Sequence, residues 1–227
     1  MGNGIAHVSA LSGFKTILMD IKDEFVNRGL VTIHKNLERQ VKREKISQTD
    51  MDSSLERINI TTDYAKVSAC DLVVEAATEH EEIKLEIFKK LDTLCQQSTI
   101  LASNTSSISI TKIAWATNRP EKIIGMHFMN PVPIMKLVEI VRGKETDEIT
   151  TSVAVDLSEK MGKIPIKCND SPGFVSNRIL MPMINEAIFC LQEEVGTPEA
   201  IDAIMKLGMA HPMGPLTLAD LIGLDVC

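Results

Sequence analysis

A histidine and a glutamate flank a proline-containing segment and could together transfer a proton. His127 and Glu139 are separated by a stretch that contains Pro131 and Pro133. An imidazole takes up and releases a proton near neutral pH, and a carboxylate within hydrogen-bond distance would fix its tautomer and stabilise its cationic form. Each proline fixes φ at about −65°, so the chain after His127 is extended and stiff. The pattern indicates a general base with an orienting acid, and its alternative is a structural histidine beside a surface glutamate.

The charge of the chain limits the partners that it can attract. Its net charge is −7 and its pI is about 5.3, whereas binding to nucleic acid or to an anionic membrane requires a positive field over one face. Lys42, Arg43 and Lys45 form a compact basic run. Such a run is typical of a solvated helix face, and contact with a phosphate is the alternative. Any anionic ligand must therefore be held by local groups.

Composition favours an ordinary globular protein in a reducing compartment. With 227 residues, 44% of them hydrophobic, the chain can build one large core and a smaller second unit. The five cysteines are scattered without the spacing of a disulfide framework or a zinc site. No apolar run approaches the roughly 20 residues of a membrane span. We expect a cytoplasmic protein with no metal site and with neither a nucleic-acid nor a membrane partner.

Short apolar runs alternate with helical patterns over the first three quarters of the chain. This alternation predicts an α/β fold with a doubly wound, mostly parallel sheet, in which right-handed crossovers join parallel strands. Ligands of such sheets lie beyond the carboxyl ends of the strands. Asp20, Glu79, Ser106 and His127 all fall at predicted strand ends. The predicted strands are 15–20, 58–61, 71–77, 99–103, 123–128 and 135–141, and the predicted helices are 1–11, 24–45, 81–95 and 108–116.

The pattern changes after residue 169 and becomes helical. Ser171, Pro172 and Gly173 mark a break, and helices are predicted at 174–191, at 198–207 and after Pro215. Pro182 removes an amide donor within the first of these helices, so we expect a kink or a split there. We predict two domains, an α/β domain over 1–169 and a helical domain over 170–227.

The first helix carries part of a dinucleotide-binding pattern. Such a site has a strand, a Gly-x-Gly-x-x-Gly turn, a helix N-terminus for the pyrophosphate and an acidic residue about 20 positions later. Gly2 and Gly4 head the helix, Gly13 follows it and Asp20 ends the next strand. The strand before the glycines is not in the chain, so we expect a Rossmann-like fold without its first strand and Met1 to be internal to a longer parent. Two glycines and a carboxylate also occur together without binding phosphate.

Taken together, seven segments resemble the 3-hydroxyacyl-CoA dehydrogenase family, especially its bacterial members that act on 3-hydroxybutyryl-CoA. The resemblance runs nearly end to end and implies an NAD-binding domain followed by a helical domain that forms the dimer interface. By the family's pattern, a first strand and two fingerprint glycines precede Met1, and further helices that complete the second domain follow Cys227. We therefore expect weakened cofactor binding by the chain as it stands. The segments are MGNGIA (1–6), VEAA (74–77), LASNTSS (101–107), GMHFMNPVPIMKLVE (125–139), SPGFVSNR (171–178), MKLG (205–208) and HPMGP (211–215).

The resemblance implies four catalytic-site residues. His127 matches the catalytic base and Glu139 its orienting carboxylate, in agreement with the reasoning from chemistry. Ser106 and Asn177 match residues that hold the hydroxyl and carbonyl region of the substrate, with Ser106 also near the nicotinamide. The structural alternatives are that Ser106 caps the following helix and that Asn177 satisfies backbone groups within its own helix.

The resemblance also implies the residues that bind NAD. These are Gly2, Asp20, Glu79, Lys84 and Asn130, together with Ser106. Asp20 would accept hydrogen bonds from ribose hydroxyls and would repel a 2′-phosphate, which favours NAD over NADP. As alternatives, Glu79 would be a solvated residue of a first helical turn and Lys84 an exposed lysine at helical spacing.

The implied reaction is the reversible oxidation of (S)-3-hydroxyacyl-CoA to 3-ketoacyl-CoA, with hydride passing to NAD. The acyl-CoA is the substrate, and a homodimer is expected in the full-length parent. Two other hypotheses remain. One is a catalytically silent or impaired binding or structural relative of the same fold, which would have no need of all four catalytic-site residues, and the other is a related NADP-dependent hydroxyacid dehydrogenase.

Overall fold

The computed structural model describes residues 1–225 and 227, which form two compact units. The first unit runs from Met1 to Pro172 and the second from Gly173 to Cys227. In the described part of the chain, no helix is long and apolar enough to cross a membrane.

The first unit opens with a helix that begins at the second residue. Helix α1 (Gly2–Leu11) ends before Gly13, whose φ of 93° allows the chain to reverse into β1 (Thr16–Met19). Helix α2 (Asp23–Lys42) is amphipathic, and its buried face meets α1 and α3 around Leu37. A short, polar helix α3 (Gln48–Glu56) was not predicted, and it leads into β2 (Ile58–Thr61).

The next part of the unit alternates strands and helices as predicted. Strands β3, β4 and β5 are parallel neighbours. Their carboxyl ends therefore lie at one edge of the sheet, where ligands of α/β proteins bind. The elements are β3 (Leu72–Glu75), α4 (Glu81–Leu94), β4 (Ile100–Ser103), α5 (Ile110–Trp115) and β5 (Ile123–Phe128), with short 3-10 helices at Tyr64–Ala69 and Pro120–Lys122.

The direction of β6 (Leu137–Arg142) differs from the expectation of parallel strands. It pairs antiparallel with β5, because the turn between them is too short for a crossover. Helix α6 (Glu148–Lys160) and strand β7 (Ile164–Asn169), neither of which was predicted, then return the chain so that β7 lies parallel to β6. The sheet remains mostly parallel and Rossmann-like.

The strands of the first unit form two sheets, and α1 packs against both. One sheet has the order β1-β2 and the other β3-β4-β5-β6-β7. Ala6 of α1 lies in the core beside β1 and β2, whereas Ile5 and Val8 join the larger core with Phe128 and Val132. Helix α1 therefore fixes the end of β1, where Asp20 lies, relative to the end of β5, where His127 lies.

The second unit consists of helices α7 (Ser176–Gln192), α8 (Pro198–Gly208) and α9 (Pro215–Ile222). Helix α7 continues through the exposed Pro182, so of the two expected outcomes, a kink or a split, the split does not occur. The Asp202 carboxylate of α8 accepts the amides of Leu216 and Thr217 at 2.9 Å each and so caps α9. A Cβ atom on Gly214 would lie 2.2 Å from Asp202 Cγ, which explains the glycine before Pro215.

Candidate active site

The antiparallel register of β5 and β6 brings His127 and Glu139 together. The two residues are direct partners in the strand pair, and His127 Nδ1 lies 2.7 Å from Glu139 Oε2. Their side chains are 10% and 5% exposed. Gly125, two residues before His127, has no room for a Cβ atom, which would lie 2.7 Å from Val141 Cβ on β6. The contact expected from the sequence is confirmed, and the strand register is its cause.

This pairing assigns different tasks to the two ring nitrogens. With Glu139 ionised, the Nδ1–H group donates a hydrogen bond to the carboxylate, which places the basic lone pair of the ring on Nε2. When Nε2 takes up a proton, the nearby carboxylate stabilises the resulting positive charge in a site with little water. The pair has the chemistry of a general base in one direction and a general acid in the other.

The turn that carries Ser106 is fixed from two sides. The Glu79 carboxylate accepts Thr105 Oγ1 at 2.6 Å, the Ser106 amide at 2.7 Å and Ser106 Oγ at 3.0 Å. On the other side, Asn104 Oδ1 accepts the amide of Phe128, the residue after His127, at 2.9 Å. The structure thus brings Glu79 and Ser106 together, and Asn104 ties their turn to the strand of His127.

A buried ion pair lies beneath this turn. Lys84 Nζ pairs with Glu75 Oε2, and the two side chains are 1% and 3% exposed. Glu75 also accepts Ser103 Oγ at 3.0 Å and the amide of Ala77 at 2.8 Å. Lys84 is therefore not the exposed lysine of the structural alternative. It supports the end of β3 and β4 through Glu75, and its contact with NAD stays a prediction.

The start of α1 fits a dinucleotide. No acidic residue lies in the first turn of α1, so its positive dipole end can face a pyrophosphate. Gly2 lies beside the end of β3, where a Cβ atom would be 3.9 Å from Ala76 Cβ. Asp20 is exposed directly after β1 and accepts the amide of Ile21 at 2.7 Å, and Asn130 is exposed after β5. The start of α1 at Gly2 could hold the pyrophosphate, Asp20 a ribose, and Asn130 the nicotinamide half.

Asn177 belongs to the second unit, near the start of α7. Its amide donates to the carbonyl of Gly173 at 3.1 Å, and Gly173 has a φ of 73°. The tight turn before α7 requires that glycine, because a Cβ atom would lie 2.9 Å from the Arg178 amide nitrogen. The role of Asn177 toward a substrate stays a prediction.

Sequence reasoning missed the residues that hold the site in place. Asn104, Thr105 and Glu75 were assigned no role, although Asn104 and Thr105 closely follow the predicted strand 99–103 and Glu75 is a charged residue inside the predicted apolar strand 71–77. That position was the available signal. Their partners are distant in sequence, so the contacts themselves could not be read from spacing.

Together the fold and the site define a Rossmann-like α/β protein with a buried histidine–carboxylate pair. The family model for the 3-hydroxyacyl-CoA dehydrogenase NAD-binding domain matches residues 1–171, and the model for the C-terminal domain of the same enzymes matches residues 173–227. The chain belongs to the 3-hydroxyacyl-CoA dehydrogenase family, and its cofactor is NAD.

Similar proteins span the whole of this chain. The probable 3-hydroxybutyryl-CoA dehydrogenase of Deinococcus radiodurans is 55% identical over all of this chain and 81% of its own length. The 3-hydroxybutyryl-CoA dehydrogenase of Bradyrhizobium diazoefficiens is 51% identical over all of this chain and 78% of its own length. Among solved structures, (S)-3-hydroxybutyryl-CoA dehydrogenase from Ralstonia eutropha is similar with a TM-score of 0.97 and 50% identity, and the match covers all of this chain and 80% of that one.

Proposed function

We propose that this protein interconverts (S)-3-hydroxyacyl-CoA and 3-ketoacyl-CoA, with His127 as the general base and 3-hydroxybutyryl-CoA as the substrate. The observation that carries the mechanism is the 2.7 Å contact between His127 Nδ1 and Glu139 Oε2. The names of the relatives support the four-carbon substrate.

In the oxidation, the substrate loses a proton from its C3 hydroxyl and a hydride from C3. The proton of the C3 hydroxyl passes to His127 Nε2, the C3–H bond breaks, and a C3 carbonyl forms. The nicotinamide supplies the acceptor for the hydride that leaves C3. Glu139 orients the imidazole and stabilises its cation, and in the reverse direction the imidazolium returns the proton to the carbonyl oxygen.

The other predicted residues hold the reactants. Ser106, fixed by Glu79, and Asn177 orient the hydroxyl and carbonyl region of the acyl group. Gly2, Asp20, Glu79, Lys84 and Asn130 are proposed to serve the NAD site, directly or through a neighbour. Their contribution is orientation of two bound reactants, which removes translational and rotational freedom from the reaction.

We also propose a homodimer that forms through the helical unit and acts in the cytoplasm. Helices α8 and α9 expose large apolar side chains: Ile204, Leu207 and Leu221 are 63%, 87% and 70% exposed. An exposed apolar group of this size supports association with a second copy.

Oxidation of NADH in the presence of acetoacetyl-CoA tests the function. We expect the unmodified chain to consume NADH, and His127→Gln to lower kcat by about 100-fold or more, the usual contribution of general acid–base catalysis. His34→Gln removes an exposed histidine from α2 and is the matched control. Equal rates in the two variants would remove His127 from the mechanism.

The same assay tests the orienting acid. Glu139→Gln keeps the shape of the side chain and removes its charge, so we expect kcat to fall by about 10- to 100-fold, as for a misplaced catalytic group. Glu145→Gln, at an exposed position in the loop after β6, should have no effect. A chain that binds NADH but never oxidises it with acetoacetyl-CoA would favour the catalytically silent alternative.

A further inference from the structure

Lys163, between α6 and β7, is a buried cation with an unusual set of partners. The residue is 8% exposed, and its Nζ donates to the carbonyl of Val132 and, at 2.9 Å, to the carbonyl of Met135. Within the described chain, no carboxylate lies within ion-pair distance of this ammonium. Burial lowers the pKa of Lys163 from its ordinary value of 10.5. Such burial is unfavourable for an ammonium group, so the carbonyl contacts need a reason beyond general packing.

Both carbonyls belong to the turn that joins the strand of His127 to the strand of Glu139. The turn, residues 129–136, closes with bonds from the amides of Ile134 and Met135 to the carbonyl of Pro131, at 2.9 and 3.0 Å. Its end is fixed to β7, because the amide of Ile164 donates to the carbonyl of Lys136 at 2.8 Å. Lys163 therefore holds the middle of a segment whose two ends continue into the proton-transfer pair.

The same turn packs against α1, the helix whose start is proposed to bind the cofactor. Val132 is 2% exposed and packs in the core with Ile5 of α1. Gly4 lies directly over it, since a Cβ atom on Gly4 would be only 2.9 Å from Val132 Cβ. A shift of the turn would therefore move the surface on which the start of α1 rests.

We infer that Lys163 is a positioning residue for the reaction: its ammonium holds the 129–136 turn so that the His127–Glu139 pair and the N-terminal end of α1 keep a fixed relation. It acts through the turn and touches neither reactant. The inference rests on the proposed function for its kinetic consequences, and on the geometry of the turn for its structural ones.

Three variants test this role. Lys163→Met removes the charge and both hydrogen bonds at a similar side-chain length. Lys163→Gln keeps a neutral donor and is the milder change if the methionine variant folds poorly. Lys160→Met, at the exposed end of α6 three residues earlier, is the matched control. Each protein is compared by hydrogen exchange of its peptides, by fluorescence titration with NADH, and by steady-state kinetics.

We expect Lys163→Met to speed amide exchange in residues 129–136 and to leave the peptides of α4 and α5 unchanged. The Kd and KM for NADH should rise, because the surface under the start of α1 shifts. The value of kcat should fall as well, by up to about 100-fold, which is the cost of a displacement of about 1 Å at the reacting groups. A purely structural loss would lower kcat with the folded fraction and leave the Kd and KM unchanged. Lys163→Gln should give values between those of Lys163→Met and those of the unmodified chain. Lys160→Met should match the unmodified chain.

Exchange in the turn equal to that of Lys160→Met would overturn the inference, and so would a uniform increase over the whole first unit with an unchanged KM. Failure of the unmodified chain to oxidise NADH would refute the proposed function alone. In that case exchange in the turn and the affinity for NADH still decide the role of Lys163.

Discussion

At the scale of single residues, the chemistry of the site was readable from the sequence and its geometry was not. The types of His127 and Glu139 and the stiff segment between them indicated a proton-transfer pair. Their contact depends on β5 and β6 being antiparallel and in one particular register, in which the two residues are direct partners. A slip of one residue would turn one side chain to the opposite face of the sheet. Spacing alone could not fix that register.

For Glu79 and Ser106, too, the sequence indicated the residues and not their contact. Each residue was predicted for the site separately, by its place after a strand. The bonds between them join segments 27 residues apart, and they form only because β3 and β4 end at the same edge. The two residues that hold the turns, Asn104 and Lys163, were not predicted because their partners come from other elements.

A buried histidine outside the site leads us to predict how the stability of the protein depends on pH. His7 on α1 is 1% exposed. Burial lowers the pKa of His7 from its ordinary 6.5, and the charge of Lys163 adds to the shift. Among the described residues, neither ring nitrogen of His7 has a hydrogen-bond partner. The unfolded chain therefore binds more protons than the folded chain at acidic pH. The contribution of His7 to the free energy of unfolding is largest above its ordinary pKa of 6.5 and decreases as the pH falls below that value.

Urea unfolding at about pH 7.5 and about pH 5.5 measures this effect, because these two values lie on either side of the ordinary pKa of histidine. His7→Leu should lose less stability between the two conditions than the unmodified chain does. His34→Leu, the same substitution at an exposed site, should lose as much as the unmodified chain. An identical loss in His7→Leu would show that protonation of His7 does not weaken the fold.

At the scale of elements, the strongly patterned segments were predicted and the weakly patterned ones were missed. Strand β5 and helix α2 have clear apolar spacing and were found. Helix α6 was missed because five β-branched residues fall within its first eight positions, and such residues favour strands: Ile149, Thr150, Thr151, Val153 and Val155. Tertiary packing keeps it helical, with Thr150, Ala154 and Ser158 buried. Strand β7 was missed because it is an edge strand with mostly exposed residues.

The end of helix α4 depends on one buried arginine. Arg119 is 1% exposed; its Nε pairs with Asp92 Oδ1 at 2.7 Å, and Nη2 donates to the carbonyl of Cys95 at 3.1 Å. Burial alone would raise the pKa of Asp92, but hydrogen bonds from Asn118 and Arg119 outweigh it and hold the pKa below its ordinary value. The guanidinium thus satisfies both a buried carboxylate and the last carbonyls of the helix.

Replacing this arginine should be costly. Arg119→Met leaves the Asp92 charge and the helix carbonyls without their partner, so we expect a loss of about 3–5 kcal/mol in the free energy of unfolding. Arg142→Met breaks a more exposed pair with Glu148 and should cost about 0–1 kcal/mol. Urea unfolding of both variants is the measurement. Similar losses in the two would contradict the capping role of Arg119.

At the scale of the whole molecule, alternation of elements was enough to predict the class of fold. The α/β architecture, the mostly parallel sheet and the helical second part follow from apolar periodicity and from the change of pattern near residue 170. The strands divide into the sheets β1-β2 and β3-β4-β5-β6-β7. This is the division expected from a Rossmann-like strand order that lacks the strand between the two groups.

The central claim is that His127 carries the proton of the reaction in both directions. The most direct test is the pH dependence of initial rates over the neutral range, measured for oxidation of 3-hydroxybutyryl-CoA and for reduction of acetoacetyl-CoA. Oxidation requires a neutral imidazole and reduction a protonated one, so the first rate should rise with pH and the second should fall. In His127→Gln both rates should be low and nearly independent of pH. Unchanged slopes in that variant would assign the proton to another group and contradict the account.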